Sequence, residues 1–459
     1  MSGMNKETEA YWAKRAAEVE SYLLTRIPEN KIRPRLEPTR RAVELLGDPQ
    51  TAYRVIHVTG TNGKTSTTRF IERILREHGL RTGRFTSPHL IKLNERMAID
   101  GEPVSDERLV SVWEEISPLL DIVDAELLAE GEDRLTFFEA IAVLGFAVFA
   151  DAPVDVLVLE VGIGGEWDST NVADGDVAVF TPIDLDHTDR IGKDIQEIAQ
   201  TKSGIIKAGA LVVSSAQPED AEVVLRAKTA EIAESIRFEG ESFSVFEQEN
   251  VASGQKFSLK GLAGNYYDLF LPVHGKYQAH NAALALAAVE AFLGGGSQRI
   301  MDDLLRVALA DASSPGRLQV VSKDPLVILD AAHNPAGGAS LANALSESFS
   351  DPFAIAVISV LGEKDARGFL MAIDESVVSV VVTQSSSPRA IEAEVLAEIA
   401  REILGSERVE VEPDLATAIS VAKTMLPAGG KNNAIIVSGS ITLVGDALIL
   451  QQKEVSEDE

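Results

Sequence analysis

"VIHVTGTNGKTSTTRF", residues 55–70, joins a β-branched run beginning at Tyr53 to a stretch of small residues, and helical periodicity follows from Thr65. A glycine-rich turn between a buried strand and a helix start can bind phosphate. The glycines let backbone N–H groups approach the oxygens, and the helix N-terminus adds its positive dipole end. Lys64 supplies a point charge for β/γ-phosphates, and the Thr65 hydroxyl can reach Mg²⁺. Yet the position five before Gly63 is Val58, where the usual loop pattern has glycine. The stretch alone leaves open a damaged nucleotide site, a tight turn with an incidental lysine, and a loop of a different make.

Around this stretch lies an ordinary globular composition: 459 residues, 45% hydrophobic and 25% charged, enough for two to three domains. The formal net charge is -29, from 42 basic and 71 acidic side chains, which disfavours nucleic acid and anionic lipid as partners. A small anionic ligand is still compatible, because a pocket can be locally basic. The absence of cysteine excludes disulfides, thiolate catalysis and cysteine-ligated zinc. The longest apolar run, AIAVLGFAVFA (140–150), falls short of the ~20 residues that span a bilayer. The charged N-terminal segment has no signal-peptide pattern, so a cytoplasmic protein is expected.

Strand-like YRVIHVT (53–59), RTGRFTS (81–87), VDVLVLEVG (154–162) and DVAVFTPI (176–183) alternate with helical stretches at 105–129 and 136–150. Two of these strands are apolar on both faces, as central parallel strands are. Residues 237–273 read as hairpins grafted on the sheet, and QAHNAALALAAVEAFLGGG (278–296) as a helix with a glycine cap. ADASSPGR (310–317) marks a boundary. Beyond it LVILDAA, FAIAVISVLG, VVSVVVTQ and NAIIVSGS read as strands of a second, smaller α/β domain. The expected organisation is 1–312, 313–450, and a disordered acidic tail over 451–459.

Further motifs follow the loop in order: TSPHL (86–90), NERMAIDG (94–101), LEVGIGGEWDSTN (159–171), DLDHTD (184–189), TKSGIIK (201–207), HNAALAL (280–286), SPGR (314–317) and DAAHNP (330–335). Together with GTNGKT they resemble folylpolyglutamate synthase/dihydrofolate synthase, the folate branch of the Mur ligase family, from about residue 30 to 445. That family's loop is Gly-Thr-Asn-Gly-Lys without the distant first glycine, so the loop here is intact. The resemblance implies a P-loop-containing central parallel-sheet domain followed by a smaller Rossmann-like α/β domain. It also implies an ATP-dependent ligase that adds L-glutamate to dihydropteroate, to tetrahydrofolate, or to both through an acyl phosphate.

The roles implied by the resemblance are specific. Gly60, Thr61, Asn62, Gly63, Lys64 and Thr65 form the ATP loop, with Asn281, Arg317 and Asp330 contacting adenine, phosphate and ribose. One Mg²⁺ falls to Thr65, Ser87 and Glu160, and a second to Glu160, His187 and Lys202. A protonated lysine cannot ligate a cation, and the family carbamylates this lysine into a carboxylate-like ligand. His333 and Asn334 face the acyl phosphate and the incoming amino acid; Lys64, Lys202 and His333 are the expected catalytic residues. Thr136, Phe138, Asp168 and Ser169 match the pterin-holding positions of bifunctional members, and Arg96 could meet a substrate carboxylate. Core packing for Phe138 and a structural ion pair for Arg96 stay open. No nucleic acid or membrane partner is expected, and the family's habit is a monomer.

One departure stands out. The family's Gly-Gly-Arg reads Gly-Gly-Glu here, placing Glu166 beside an anionic site. Three rivals remain: another Mur-type amino-acid ligase, a P-loop ATPase without ligation, and a binding module descended from the ligase. With 59 residues ahead of Gly60, a nucleotide-sugar domain of the peptidoglycan type is not expected.

Overall fold

The computed structural model describes residues 2–458 apart from 30, 32, 189, 234 and 431. The chain divides into two compact units, one of Met1–Phe246, Ser258–Leu269 and His280–Asp311, the other of Glu247–Phe257, Phe270–Ala279 and Ala312–Glu459.

The first unit is built on β1 (Arg54–Thr59), β2 (Thr82–Phe85), β3 (Met97–Ile99), β4 (Glu102–Pro103), β5 (Val156–Glu160), β6 (Val177–Phe180), β7 (Leu211–Ser214) and β8 (Ser235–Phe238). Their order is β4-β3-β2-β5-β1-β6-β7-β8. Six neighbours from β2 to β8 run parallel, and β3 and β4 add an antiparallel edge. Every residue of β5 is buried, as expected for a strand covered on both faces. The helices Asp106–Ala129 and Phe137–Asp151 pack with Val55, Leu157 and Leu159 in one apolar cluster. Phe180, Val212 and residues of the helix Ile195–Ser203 form another. In register, Val58 lies opposite Glu160, so the loop after β1 and the end of β5 emerge side by side. Ligands bind at such carboxyl ends of open parallel sheets.

β9 (Ser244–Val251), β10 (Gly254–Lys260) and β11 (Asn265–Leu271) form a three-stranded sheet in the segment expected to carry hairpins.

The second unit centres on β12 (Gln319–Lys323), β13 (Leu326–Leu329), β14 (Phe353–Ile358), β15 (Ser379–Val382), β16 (Val409–Val411) and β17 (Asn433–Ser438), ordered β12-β13-β17-β14-β15-β16. Only the β12–β13 pair is antiparallel. Pieces 247–257 and 270–279, which the sequence reading assigned to the first domain, group with this unit. Polar ties fix them there: Gln255 donates to the Val273 and Gly275 carbonyls, and Lys276 pairs with Glu347 across 2.9 Å. The expected disordered tail from 451 needs correction. The helix Ile441–Asp458 runs through it, and Gln451 donates to the Val321 carbonyl. Residue 459 lies outside the described residues.

Candidate active site

The loop after β1 needs its glycines. Gly60 has φ +146° and Gly63 φ +88°, conformations that favour glycine. A Cβ on Gly60 would lie 1.9 Å from Thr181 Oγ1, and one on Gly63 would lie 2.7 Å from Asn281 Oδ1. Asn281 thus sits directly against the loop. Thr61 is fixed by its amide on the Pro182 carbonyl and its hydroxyl on the Asp184 carbonyl, and Asn62 is half-buried between the glycines. Gly63 then caps the helix Lys64–Glu77.

Two lysines share one carbonyl. Lys64 Nζ donates to Gly60 O and Thr61 O, each at 3.1 Å, and Lys202 Nζ donates to Gly60 O at 2.8 Å. Burial, with the Lys64 charge adding to it, lowers the Lys202 amine to about 7. Lys64, Lys202 and His187 line one open depression together with Gly60, Thr61 and residues 161–164. His187 lies at φ +50°, its amide on Asp186 Oδ1.

Glu160, 1% exposed at the end of β5, is the meeting point of the first ligand set. The Thr65 hydroxyl donates to its Oε1 at 2.8 Å, and the Ser87 amide lies 3.4 Å from its Oε2. The Ser87 segment is itself held by Glu95, whose carboxylate accepts the amides of Leu90, Ile91 and Lys92. Arg69, one helical turn after Thr65, is lowered to about 9 by burial and by Arg84, against the pull of Glu95 and Glu160. Among the described residues no group of three or more His, Cys, Asp or Glu could hold a metal ion. What converges on the carboxylate is the Thr65 hydroxyl and the Ser87 amide, and the carboxylate and hydroxyl are hard oxygen groups of the kind Mg²⁺ accepts alongside waters and phosphate oxygens.

Several residues expected at the substrate have structural partners. Arg96 places Nη1 and Nη2 on Glu29, 3.0 and 3.3 Å away, and donates Nε–H to His89 Nδ1, so the structural ion pair is realised. Thr136 caps the helix Phe137–Asp151 in a capping box with Glu139. Asp168 Oδ2 accepts the Ile163 amide and its Oδ1 accepts from Thr170, and Ser169 beside it is buried. Phe138 lies partly buried against the core with its ring over Gly162, where a Cβ would come within 2.3 Å of Cζ. Glu166 is exposed, so its charge stands in solvent rather than in the depression.

In the second unit, Asp330 lies just past β13 with both oxygens on backbone amides, those of Leu318 and Ala332. Burial raises its pKa, and the Arg317 charge opposes this. Arg317 Nη1 donates to the Gly316 carbonyl. His333 Nδ1 is 2.8 Å from the Ala331 carbonyl, and Asn334 caps the helix Pro335–Phe349 by accepting the Gly337 amide.

Sequence reasoning overlooked Asp186 and Ile191, which line the depression, and His57 and Thr170, which are buried behind it. Only an imidazole inside an otherwise apolar strand, in VIHVT, signalled His57.

Comparison with known proteins agrees with this geometry. Residues 58–289 match the Mur ligase middle domain, and residues 316–441 match the Mur ligase glutamate ligase domain. The dihydrofolate synthase/folylpolyglutamate synthase of Mycobacterium tuberculosis is 42% identical, covering 94% of this chain and 93% of that protein. The Bacillus subtilis protein of the same name is 32% identical over 90% of this chain and 94% of its own length. Among solved structures, M. tuberculosis folylpolyglutamate synthase complexed with ADP and AMPPCP superposes with a TM-score of 0.91, at 41% identity over 96% of this chain and 99% of that one. E. coli FolC in complex with DHPP and ADP gives 0.83, at 28% identity over 96% and 98%.

Proposed function

Because the chain belongs to the folylpolyglutamate synthase/dihydrofolate synthase branch of the Mur ligase family, we propose that it uses ATP to join L-glutamate to the carboxylate of dihydropteroate, of a tetrahydrofolate, or of both. The observation that carries this reading is the convergence of Thr65 and Ser87 on Glu160, beside a loop whose lysine and amides suit phosphate.

A carboxylate is a poor acylating agent, so the first step is its activation. One carboxylate oxygen bonds to the γ-phosphorus as the bond to the ADP oxygen breaks. The glutamate amine then attacks the acyl carbon, inorganic phosphate leaves, and the nitrogen gives up a proton. Charge builds on phosphate oxygens throughout, so Lys64 and the amides of the loop contribute fixed positive potential where it develops. Magnesium would be held by Thr65, Ser87 and Glu160, with a second ion at Glu160, His187 and a carbamylated Lys202, and would supply further positive charge there. A lysine lowered to about 7 has a substantial neutral fraction at physiological pH, the form that reacts with CO₂.

Asn281, packed on Gly63, is assigned to the adenine, Arg317 to phosphate and Asp330 to ribose; His333 and Asn334 are assigned to the acyl phosphate and glutamate. Phe138 offers the pterin an aromatic face, with Thr136, Asp168 and Ser169 shaping the surroundings. Arg96 acts on the loop that bears Ser87 through its hydrogen bond to His89, with Glu29 taking the rest of its guanidinium. The reading extends to a cytoplasmic monomer acting on small molecules. Its net charge of -29 disfavours nucleic acid, and among the described residues no helix is long and apolar enough to cross a membrane.

The test is ADP release with glutamate and either dihydropteroate or a tetrahydrofolate, omitting each component in turn. Ligation requires all three substrates. Full turnover without glutamate or without an acceptor would favour a plain ATPase.

A further inference from the structure

Behind the wall of the depression formed by residues 161–164 runs a buried chain of three side chains. Asp168 Oδ2 accepts the Ile163 amide at 2.9 Å. Its Oδ1 accepts both the amide of Thr170, at 3.0 Å, and the Thr170 hydroxyl, at 2.5 Å. That hydroxyl oxygen lies 2.9 Å from Nε2 of His57, in the middle of β1. All three side chains are buried, His57 and Thr170 completely.

The proton positions follow from the chemistry of the donors. Both Asp168 oxygens take backbone amides, which favours the ionised form against the raising effect of burial, and to that form Thr170 gives its single proton. Its lone pair is then the acceptor for His57, so the imidazole carries its proton on Nε2. Burial, with the Lys207 charge adding to it, lowers the pKa of the ring to about 3 and keeps it neutral. The other nitrogen, Nδ1, is buried and has no hydrogen-bond partner among the described residues. An unpaired buried acceptor costs stability, and an aliphatic side chain in this apolar strand would avoid the cost. Among the described residues the polar contact of this histidine leads through Thr170 to Asp168.

We infer that His57 and Thr170 are positioning residues: they lock the Asp168 carboxylate on the Ile163 amide and thereby fix the 161–164 wall relative to the loop that follows β1. This rests on the function proposed above. It concerns the transfer step, because residues 161–164 line the same depression as Lys64 and Lys202. Nucleotide held by the loop itself should bind as before.

The test compares Thr170→Val, Thr170→Ser and His57→Leu in the full chain by two measurements, ADP-release kinetics and amide hydrogen exchange over residues 161–165. Thr170→Val is expected to lower kcat by about tenfold or more, the scale of one lost charge-assisted hydrogen bond, with the KM for ATP within about twofold of the parent. Exchange over 161–165 should quicken by a similar factor, and Thr170→Ser, which keeps the hydroxyl, should restore both. His57→Leu should shift the same two quantities in the same direction, and combining it with Thr170→Val should add little. Parental kcat and exchange in Thr170→Val, or a serine variant as impaired as the valine one, would overturn the inference. Should the valine variant not fold, unchanged exchange in His57→Leu overturns it equally. If the parent itself shows no glutamate-dependent turnover, the functional reading fails, while the exchange comparison still decides the relay.

Discussion

The Thr65 hydroxyl donates to Glu160 across 2.8 Å, joining the first turn of the helix after the nucleotide loop to the carboxyl end of β5. The register makes this possible: Val58 opposes Glu160, so two residues after the strand pair ends the chain has begun to turn into Gly60. Replacing Glu160 with Gln keeps the shape and the hydrogen bond but removes the charge that would hold a divalent cation. Glu160→Gln is expected to lose activity by roughly 100-fold or more, the scale of a lost electrostatic group in a catalytic site, with thermal stability nearly unchanged. Steady-state ADP release with a magnesium titration checks it. A parental rate at ordinary magnesium would remove Glu160 from the site.

Lys202 separates two explanations of a buried lysine. If it contributes only positive charge beside Gly60, arginine retains part of the function. If it acts as a carbamate, arginine cannot replace it, because a guanidinium offers no lone pair to a cation. Lys202→Arg and Lys202→Ala are therefore expected to be similarly inactive, each down by on the order of 100-fold. Appreciable activity in the arginine variant alone would make the role electrostatic.

Much of this arrangement was legible along the chain, for physical reasons. Strands β5 and β6 are buried along their length and read as apolar runs, and the glycines between β1 and its helix mark a turn that other side chains would block. Strands such as β7, four residues of LVVS, and β16, three of VEV, are too short to carry a period. The site residues divide in a similar way. The Thr65 hydroxyl and the Ser87 backbone amide lie on Glu160. Thr136 and Glu139 fit the capping-box spacing, but Arg96, Asp168 and Asp330 have polar atoms engaged by Glu29, Ile163 and Leu318, partners that no one-dimensional pattern displays. A motif gives the residue type that chemistry needs, but the hydrogen bonds it makes depend on which backbone groups the fold brings near.

Glu166 tests how far a charge acts through solvent. In sequence it reverses the family's arginine next to an anionic site, but its side chain is exposed and lies outside the depression. Screened charges of this kind contribute about 1 kcal/mol at most, so Glu166→Arg should change kcat/KM by less than about fivefold. A larger gain, especially one that vanishes at high salt, would show that the position faces the substrate.

His57 gives the fold a dependence on acid. Its pKa is about 3 in the folded chain, lowered by burial and then by Lys207, against an ordinary value of 6.5. Below pH 6.5 the unfolded chain therefore takes up a proton that the folded chain refuses, and stability is lost as pH falls from 6.5 toward 3. The contribution is fully present above pH 6.5 and falls by about 2 kcal/mol between pH 7 and pH 5. His89, lowered to about 4 mainly by burial, adds a second proton of the same sign. Urea unfolding at both pH values should therefore show a steeper loss in the parent than in His57→Gln, by about one proton's worth of slope. Equal slopes in the two proteins would mean that the folded chain takes up the His57 proton as readily as the unfolded one, so that burial does not hold the ring neutral.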